Sequence, residues 1–341
     1  DLHSFPTRRS SDLSKKITTM KFQALLISIF GIAMTSSCTS DHGAKSAETG
    51  KESAVTTATD DSSTYGLTPP KIPVTITDPQ AIAGYAIVHY WDNMDFSDST
   101  KVSDDKFMEH SFMNYLSAFP YASQEDASLA AETLMKRAEA SQAAYQKVLE
   151  VAEHFLTSPN SSMRDEEIYY LFLQAADKST FIDNIQRLRI KAQIEDVLKN
   201  RRGTPANDFA IVTDDGRHTS LYSEASPEQC RLLVFYDPEC SHCHEIMEIL
   251  KTSEMLGAAV DSGIIKVIAV YADGDKDIWE RARHTMPGKW INGVSPGGEV
   301  DENEKYSFPA MPVIYLIAPD NTVMLKDTTP AAIEEWIAES M

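Results

Sequence analysis

Cys240-Ser241-His242-Cys243 is the stretch of this chain whose residue types and spacing can do covalent chemistry. Two thiols held two residues apart can close into a disulfide and reopen it, because a thiolate attacks a disulfide sulfur and a neighbouring thiolate then displaces the attached group. The reacting species is the thiolate, so the setting of the pair matters as much as its spacing. Here an apolar run with strand composition, Leu232 to Tyr236, breaks at Asp237-Pro238, and a helical pattern follows at once. A thiol at a helix start lies among unpaired N–H groups and the positive end of the helix dipole, and both favour ionisation. The first sulfur of such a motif projects outward and the second points into the helix. Cys240 is thus expected to be the exposed attacking thiol and Cys243 the shielded resolving one, with Ser241 and His242 on the surface that meets a substrate.

The same letters admit other readings. Cys240, Cys243 and His244 match the C-x-x-C-H spacing of haem attachment, but that motif expects no buried strand directly before it. A zinc site needs two more ligands, and His218 and His284 stand isolated. A structural cysteine pair without chemistry is the third alternative. The flanking elements favour redox chemistry. Ile246, Met247, Ile249 and Leu250 form an apolar stripe among Glu245, Glu248 and Lys251, as a helix packed on a sheet requires.

Those elements extend in both directions. Upstream, Phe209–Val212 and His218–Tyr222 flank Asp214-Asp215-Gly216, a hairpin pattern. Downstream, Ile264–Tyr271 reads as a second buried strand, and a short helix spans Asp275 to Arg283 with Trp279 on its apolar side. Val313–Ile317 and Val323–Lys326 form a late hairpin about Asp320-Asn321, and Ala331–Ser340 closes as a helix carrying Ile333, Trp336 and Ile337. Met311-Pro312 stands just before that hairpin.

This order of elements is similar to a thioredoxin fold with an added N-terminal hairpin. Residues 203–341 resemble the TlpA-like thiol-disulfide oxidoreductases of the thioredoxin superfamily, on the strength of the strand, C-x-x-C and helix unit, Met311-Pro312, and the terminal hairpin and helix. The resemblance implies a cis peptide bond at Met311-Pro312, facing the cysteines, where the backbone pairs with an extended substrate segment. The wider arrangement resembles bacterial envelope lipoproteins that join a helical region of unknown function to a TlpA-like domain. It rests on His89–Phe96, Asn160–Glu167, Leu198–Gly203 and Trp290–Gly293, and covers nearly everything from residue 75 onward.

Two departures from the thioredoxin pattern bear on mechanism. Thioredoxins keep a buried acid six residues before the first cysteine; here that position is Val234, which leaves the proton acceptor unassigned. The residues between the cysteines are Ser241 and His242 rather than Gly-Pro. His242, as a cation or a donor, can stabilise a Cys240 thiolate, which favours the reduced form and makes the disulfide more oxidising, while nearby carboxylates push the other way. His244, one step beyond, reads as a helix-surface residue.

The beginning of the chain bears on compartment. Met20-Lys21 and the apolar run Phe22 to Met34 form a short signal-like segment over residues 20–37, too short for a comfortable membrane span. Thr35-Ser36-Ser37-Cys38 ends it and resembles a bacterial lipobox, with Thr35 in place of the usual Leu; a plain secretory signal is the alternative. The resemblance implies lipid attachment at Cys38 and a lipid-anchored, periplasm-facing place in the bacterial envelope. Residues 1–19 resemble a translated sequencing-adapter remnant and are read as a non-native extension. Residues 38–78 are rich in Ser, Thr, Ala, Asp and Lys with few large apolar side chains, the composition of a flexible tether.

Removing the five basic and two acidic residues of 1–37 takes the net charge from −20 to −23. Such acidity argues against nucleic acid and against docking on anionic lipid by charge. Of the four cysteines, Cys230 is left over and reads as a small apolar residue at the head of a strand.

Residues 79–202 read as an all-α domain. Met108, Phe112, Tyr115, Leu116 and Phe119 recur at helical spacing, as do Tyr145, Val148, Leu149, Ala152, Phe155 and Leu156, with breaks at Pro120 and Ser158-Pro159-Asn160. Ile182, Ile185, Leu188 and Ala192 suggest a third core-facing stripe. No nucleophile–base pair, metal constellation or phosphate loop stands out there. The expected molecule is an α/β protein: a thioredoxin-like mixed sheet flanked by helices, preceded by the helical domain. It exchanges disulfides with envelope protein thiols and an unidentified upstream redox partner, needs no cofactor beyond the Cys240–Cys243 disulfide and binds no metal. The alternative is a lipid-anchored binding or scaffold protein whose thioredoxin-like module is redox-inactive.

Overall fold

The computed structural model describes residues 65–302 and 305–340. The non-native extension, the signal-like segment, Cys38 and the tether up to residue 64 lie outside the described residues. The chain divides into two compact units between Arg187 and Leu188.

The first unit is helical: α1 Pro79–His89, α2 Ser99–Val102, α3 Asp105–Leu116, α4 Gln124–Ala138, α5 Gln142–Thr157 and α6 Glu166–Lys178, with a 3-10 turn at Phe119–Tyr121. Each helix starts where the sequence supplies a short polar side chain to accept a free N–H: Asp78, Asp98, Asp104, Ser123, Ser141 and Asp165. Such a cap contributes on the order of 1 kcal/mol. Met108, Phe112, Tyr115, Leu116, Phe119, Tyr145, Val148, Ala152 and Leu156 are buried, whereas Leu149 and Phe155 reach only its margin. Residues at the end of the stretch read as tether are held: the Leu67 N–H donates to Ser111 Oγ at 2.9 Å, and Tyr90 donates to the Leu67 carbonyl at 3.1 Å.

The third stripe is corrected. Helix α7, Asn184–Leu198, starts after Ile182, so that residue is not on its face. Ile190 and Val197 are its buried residues, while Ile185 and Leu188 are 77% and 69% exposed and Ala192 is exposed too. The C-terminal end belongs to the second unit, where Lys326 donates to the Val197 carbonyl at 2.9 Å.

The second unit is a seven-stranded mixed sheet in the order β2-β1-β5-β4-β3-β6-β7. Its strands are β1 Ala210–Thr213, β2 His218–Ser220, β3 Cys230–Tyr236, β4 Ile265–Tyr271, β5 Ile291–Val294, β6 Val313–Ile317 and β7 Val323–Leu325. Strand β3, inside the sheet, runs parallel to β4 and antiparallel to β6. Alternate residues of β3 serve two cores. Leu232, Val234 and Tyr236 face one with α8 (Ser241–Thr252), α9 (Glu254–Asp261) and the last helix, Pro330–Ser340, while Leu233 and Phe235 face the other with Phe209, Tyr306 and Tyr315. A short helix, α10 (Lys276–Ala282), is capped by Asp275 and buries Trp279. Beyond β7 the chain at 203–206 pairs back on it: Gly203 and Ala206 donate to the carbonyls of Val323 and Asn321, and Val323 donates to that of Thr204. This architecture is the expected thioredoxin-like mixed sheet flanked by helices, preceded by a helical region.

Three elements differ from expectation. The single helix after the cysteines is two, because Ser253 adopts an extended conformation and its Oγ accepts the Leu256 N–H at 3.1 Å, opening α9. Ile249, placed on the apolar stripe, is 50% exposed; the buried face is Cys243, Met247 and Leu250. Strand β5, between β4 and β1, was not read as a strand at all.

Candidate functional site

Strand β3 delivers the dithiol motif to one end of the sheet. Asp237-Pro238 cannot continue the strand ladder, since proline offers no N–H, and Pro238 keeps its predecessor out of the helical region. The chain turns, with Asp237 Oδ1 accepting the Glu239 N–H at 2.8 Å and the Asp237 carbonyl accepting the Cys240 N–H at 3.2 Å. Cys240 is the N-cap of α8, in extended conformation, and its sulfur makes no capping bond. That thiol is half-buried and left available at a helix N-terminus. Ser241 and His242 follow, both exposed.

Cys243 is wholly buried one turn in. Burial pushes its thiol up to about 12; the Asp237 N–H, which donates to the sulfur at 3.4 Å, opposes this, while the adjacent Cys240 and the Asp237 carboxylate add to it. The arrangement resembles a capping box, in which the third helical side chain reaches back to an upstream N–H. The two sulfurs therefore sit in unlike settings: one accessible at the cap, one desolvated with a single backbone donor aimed at it.

Met311 and Pro312 approach from the neighbouring strand. Register pairs Val313 with Phe235, so Pro312 falls at the same end of the sheet as the cysteines, and the Met311–Pro312 peptide is cis. Met311 and Cys240 both border the core beneath the motif. Val234, in the place of the thioredoxin acid, is buried between Ala269 and Ile314. Cys230 opens β3 at its opposite end, where burial pushes its thiol up, and it takes no part in the cluster.

His242 does not take the role at Cys240 that its position suggests, and His244 is exposed on the helix surface as expected. The His242 ring is turned to solvent, Nδ1 at 3.5 Å from Glu245 Oε2, and makes no hydrogen bond to Cys240. His244 does contact the motif: its Nε2 lies 2.6 Å from the Pro238 carbonyl. Beneath the cysteines, Tyr236 donates to Asn292 Oδ1 at 3.0 Å, and Asn292 Nδ2 donates to the Arg283 carbonyl at 2.7 Å. A groove of about 580 Å³ beside the motif has Met247, Ile278 and Met286 on its walls, with the Glu239–Arg281 ion pair at its rim. Sequence reasoning missed His244, Tyr236 and Asn292.

The solved structure of a thioredoxin-like protein from Bacteroides caccae matches this chain at a TM-score of 0.76 and 30% identity, over 82% of this chain and 99% of its own. The chain belongs to the thioredoxin-like proteins. The N-terminal part of this thioredoxin-like protein, residues 37–200, matches a family model described as a domain of unknown function, DUF5106. The C-terminal domain of an uncharacterized protein from Bacteroides fragilis is similar over 41% of this chain and 99% of its own, at 31% identity and a TM-score of 0.39. The thioredoxin domain of a thiol-disulfide oxidoreductase from Bacteroides vulgatus is similar over 41% of this chain and 96% of its own, at 19% identity and a TM-score of 0.35. No curated protein matches the chain.

Proposed function

We propose that this thioredoxin-like protein is a thiol-disulfide oxidoreductase that exchanges disulfides with a protein partner through Cys240 and Cys243. The observation that carries the reading is the asymmetry of the pair: an accessible thiol at a helix cap beside a buried thiol held up to about 12 with one N–H directed at it. Cys240 attacks or is attacked, giving a mixed disulfide; Cys243 then displaces the partner. Ser241 and His242, together with Met311 and Pro312, form the surface against which an extended partner segment lies. The working parts are the two cysteines, with no added cofactor or metal, and a second, upstream redox partner resets the pair.

The proposed setting is the bacterial envelope, facing the periplasm, with Cys38 as the lipid attachment point of a tethered protein. A single acyl chain holds marginally, so a stable anchor requires more than one.

Trapping tests both parts. Cys243→Ala, expressed in a bacterial envelope, is expected to accumulate discrete, reductant-sensitive adducts in the detergent phase, and Cys240→Ala none. Adding Cys38→Ala should move the adducts to the aqueous phase. Equal adducts from both variants, or none from either, would leave a binding module in place of an enzyme; unchanged partitioning would remove the lipid anchor from the proposal.

A further inference from the structure

The backbone of residues 237–239 links β3 to the dithiol helix and also aims the Asp237 N–H at the Cys243 sulfur. Several bonds shape this turn. Two are internal to it: Glu239 N–H to Asp237 Oδ1, and Cys240 N–H to the Asp237 carbonyl. A third, the Arg281–Glu239 pair at 2.9 Å, joins side chains that are 63% and 60% exposed, where water screens the attraction. The fourth also involves an exposed side chain, but it is a hydrogen bond to the backbone of the turn itself. His244 lies on the same helix as Cys243, one residue on, and its Nε2 meets the Pro238 carbonyl at 2.6 Å. A carbonyl can only accept, so Nε2 carries the proton and donates. This bond ties the turn to the element that carries the buried sulfur.

We infer that His244 is a positioning residue for the resolving step: its Nε2–H holds the Pro238 carbonyl, and with it the Asp237 N–H, on the Cys243 sulfur as that sulfur becomes an anion. The inference rests on the proposed oxidoreductase reading. In the mixed disulfide, Cys240 Sγ is bonded to a partner sulfur. Cys243 gives its proton to solvent, and its thiolate attacks Cys240 Sγ. The Cys240–Cys243 bond forms as the Cys240–partner bond breaks, and the electron pair leaves on the partner sulfur, which takes up a proton. The dithiol is oxidised by the two electrons that reduce the partner, and no further reactant is consumed. In the reduced pair, burial, the Cys240 thiol and the Asp237 carboxylate oppose the Cys243 anion; once Cys240 is bonded to the partner, burial and the Asp237 carboxylate remain, and the Asp237 N–H is the group that favours the anion. A donor displaced by loss of the His244 bond would leave that anion with less support.

Glutamine and methionine are close in size and flexibility, but only glutamine has an amide N–H to offer the carbonyl. Reduced full-length His244→Gln and His244→Met would each be mixed rapidly with the aryl disulfide dithiobis(nitrobenzoate). Attack by Cys240 releases one coloured thiolate and resolution by Cys243 a second; Cys243→Ala, which lacks the second release, identifies that phase. The second phase in His244→Met should be about tenfold slower, the scale of one hydrogen bond to an ionised group. Its rate against pH should run parallel to that of the unchanged protein, displaced upward by about one pH unit. His244→Gln should restore both, with similar unfolding midpoints in the two variants. An unchanged second phase in His244→Met, or equal slowing in both variants, overturns the inference and leaves the oxidoreductase reading standing. If the unchanged protein shows no more second release than Cys243→Ala, the oxidoreductase reading itself falls and the inference with it.

Discussion

Among the described residues, the two units bury polar atoms very differently. In the helical unit the rings of Trp91, Phe112, Tyr115 and Phe172 pack on one another, and Ser111 is the buried polar residue apart from the tyrosine hydroxyls and the indole. Its carboxylates and cations form surface pairs such as Lys178–Glu132 and Arg137–Asp92. The sheet unit buries Asn200, Thr213, Glu224, Arg231, Asn292 and Ser295 as well as the Cys243 thiol. Arg231, on β3, is wholly enclosed; burial lowers its pKa, and it donates to the carbonyls of Leu221 at 2.9 Å and Ala318 at 2.8 Å. Both interiors pack rings, with Phe235 against Phe209, Tyr306 and Phe308 in the sheet unit, but the sheet unit adds a set of buried directed bonds. Such bonds hold a buried sulfur in a defined place, and the proposed reactive pair stands in that unit.

Three substitutions would break or sharpen this contrast. The largest effect is expected from Phe112→Ala, which empties the centre of the ring cluster, with neighbours Tyr115 at 5.6 Å, Phe172 at 5.7 Å and Trp91 at 6.2 Å between centroids. Denaturant unfolding should show a loss of about 3–5 kcal/mol from the transition that includes the helical unit. A loss below about 1 kcal/mol would mean the cluster is loosely packed. Arg231→Met comes next. It removes the donor to the Leu221 carbonyl, while the Ala318 carbonyl keeps the Asn321 N–H, and it relieves a desolvated charge, so the net loss should be about 1–3 kcal/mol. A gain in stability would show that the charge, not the bonds it makes, dominates at that position.

The smallest effect concerns acid stability. Burial pushes the Glu224 carboxyl upward, but hydrogen bonds from Arg217 and Thr219, and the charges of Arg217 and Lys266, hold it below its ordinary value. With the folded pKa depressed, this group's contribution is complete above the ordinary glutamate range, near pH 4.3, and is lost as pH falls through the folded value. Glu224→Gln should accordingly flatten the fall of the unfolding midpoint on the acid side, as followed by thermal melts at successive pH values. An undiminished slope would assign that acid sensitivity to other carboxylates.

Much of the sheet unit was legible because its elements are bounded by strong breakers. Asp237-Pro238 ends β3, Asp214-Asp215-Gly216 turns the first hairpin, and Asp320-Asn321 turns the last, with Asn321 at a φ of 75°. β5 was hidden by composition. Ile291-Asn-Gly-Val294 carries a buried amide at Asn292 and a glycine where any Cβ would collide with the Ile211 side chain, so tertiary packing rather than strand propensity makes it a strand. The third helical stripe held only at Ile182, which is buried ahead of the helix; Ile185, Leu188 and Ala192 share its spacing but are exposed, because spacing alone does not say where the helix begins or which face has a neighbour. At the candidate site the cysteines and Met311-Pro312 carried a readable pattern. His244 did not, because its partner is a backbone carbonyl, and every residue has one.

The short stretch at 203–206 has a further effect, on self-association. A sheet's outer strand ordinarily leaves a row of N–H and C=O groups that can template a neighbouring molecule. On the β7 side the Val323 N–H and C=O are already engaged by the chain's own backbone at Thr204 and Gly203, the Asn321 carbonyl by Ala206, and the Pro205–Thr322 bridge places there a residue that has no N–H to give. On the other side β2 runs for three residues, His218–Ser220, none of them large and apolar. Both borders of the sheet thus carry a feature that hinders strand-by-strand growth between copies, one partial cover and the other brevity.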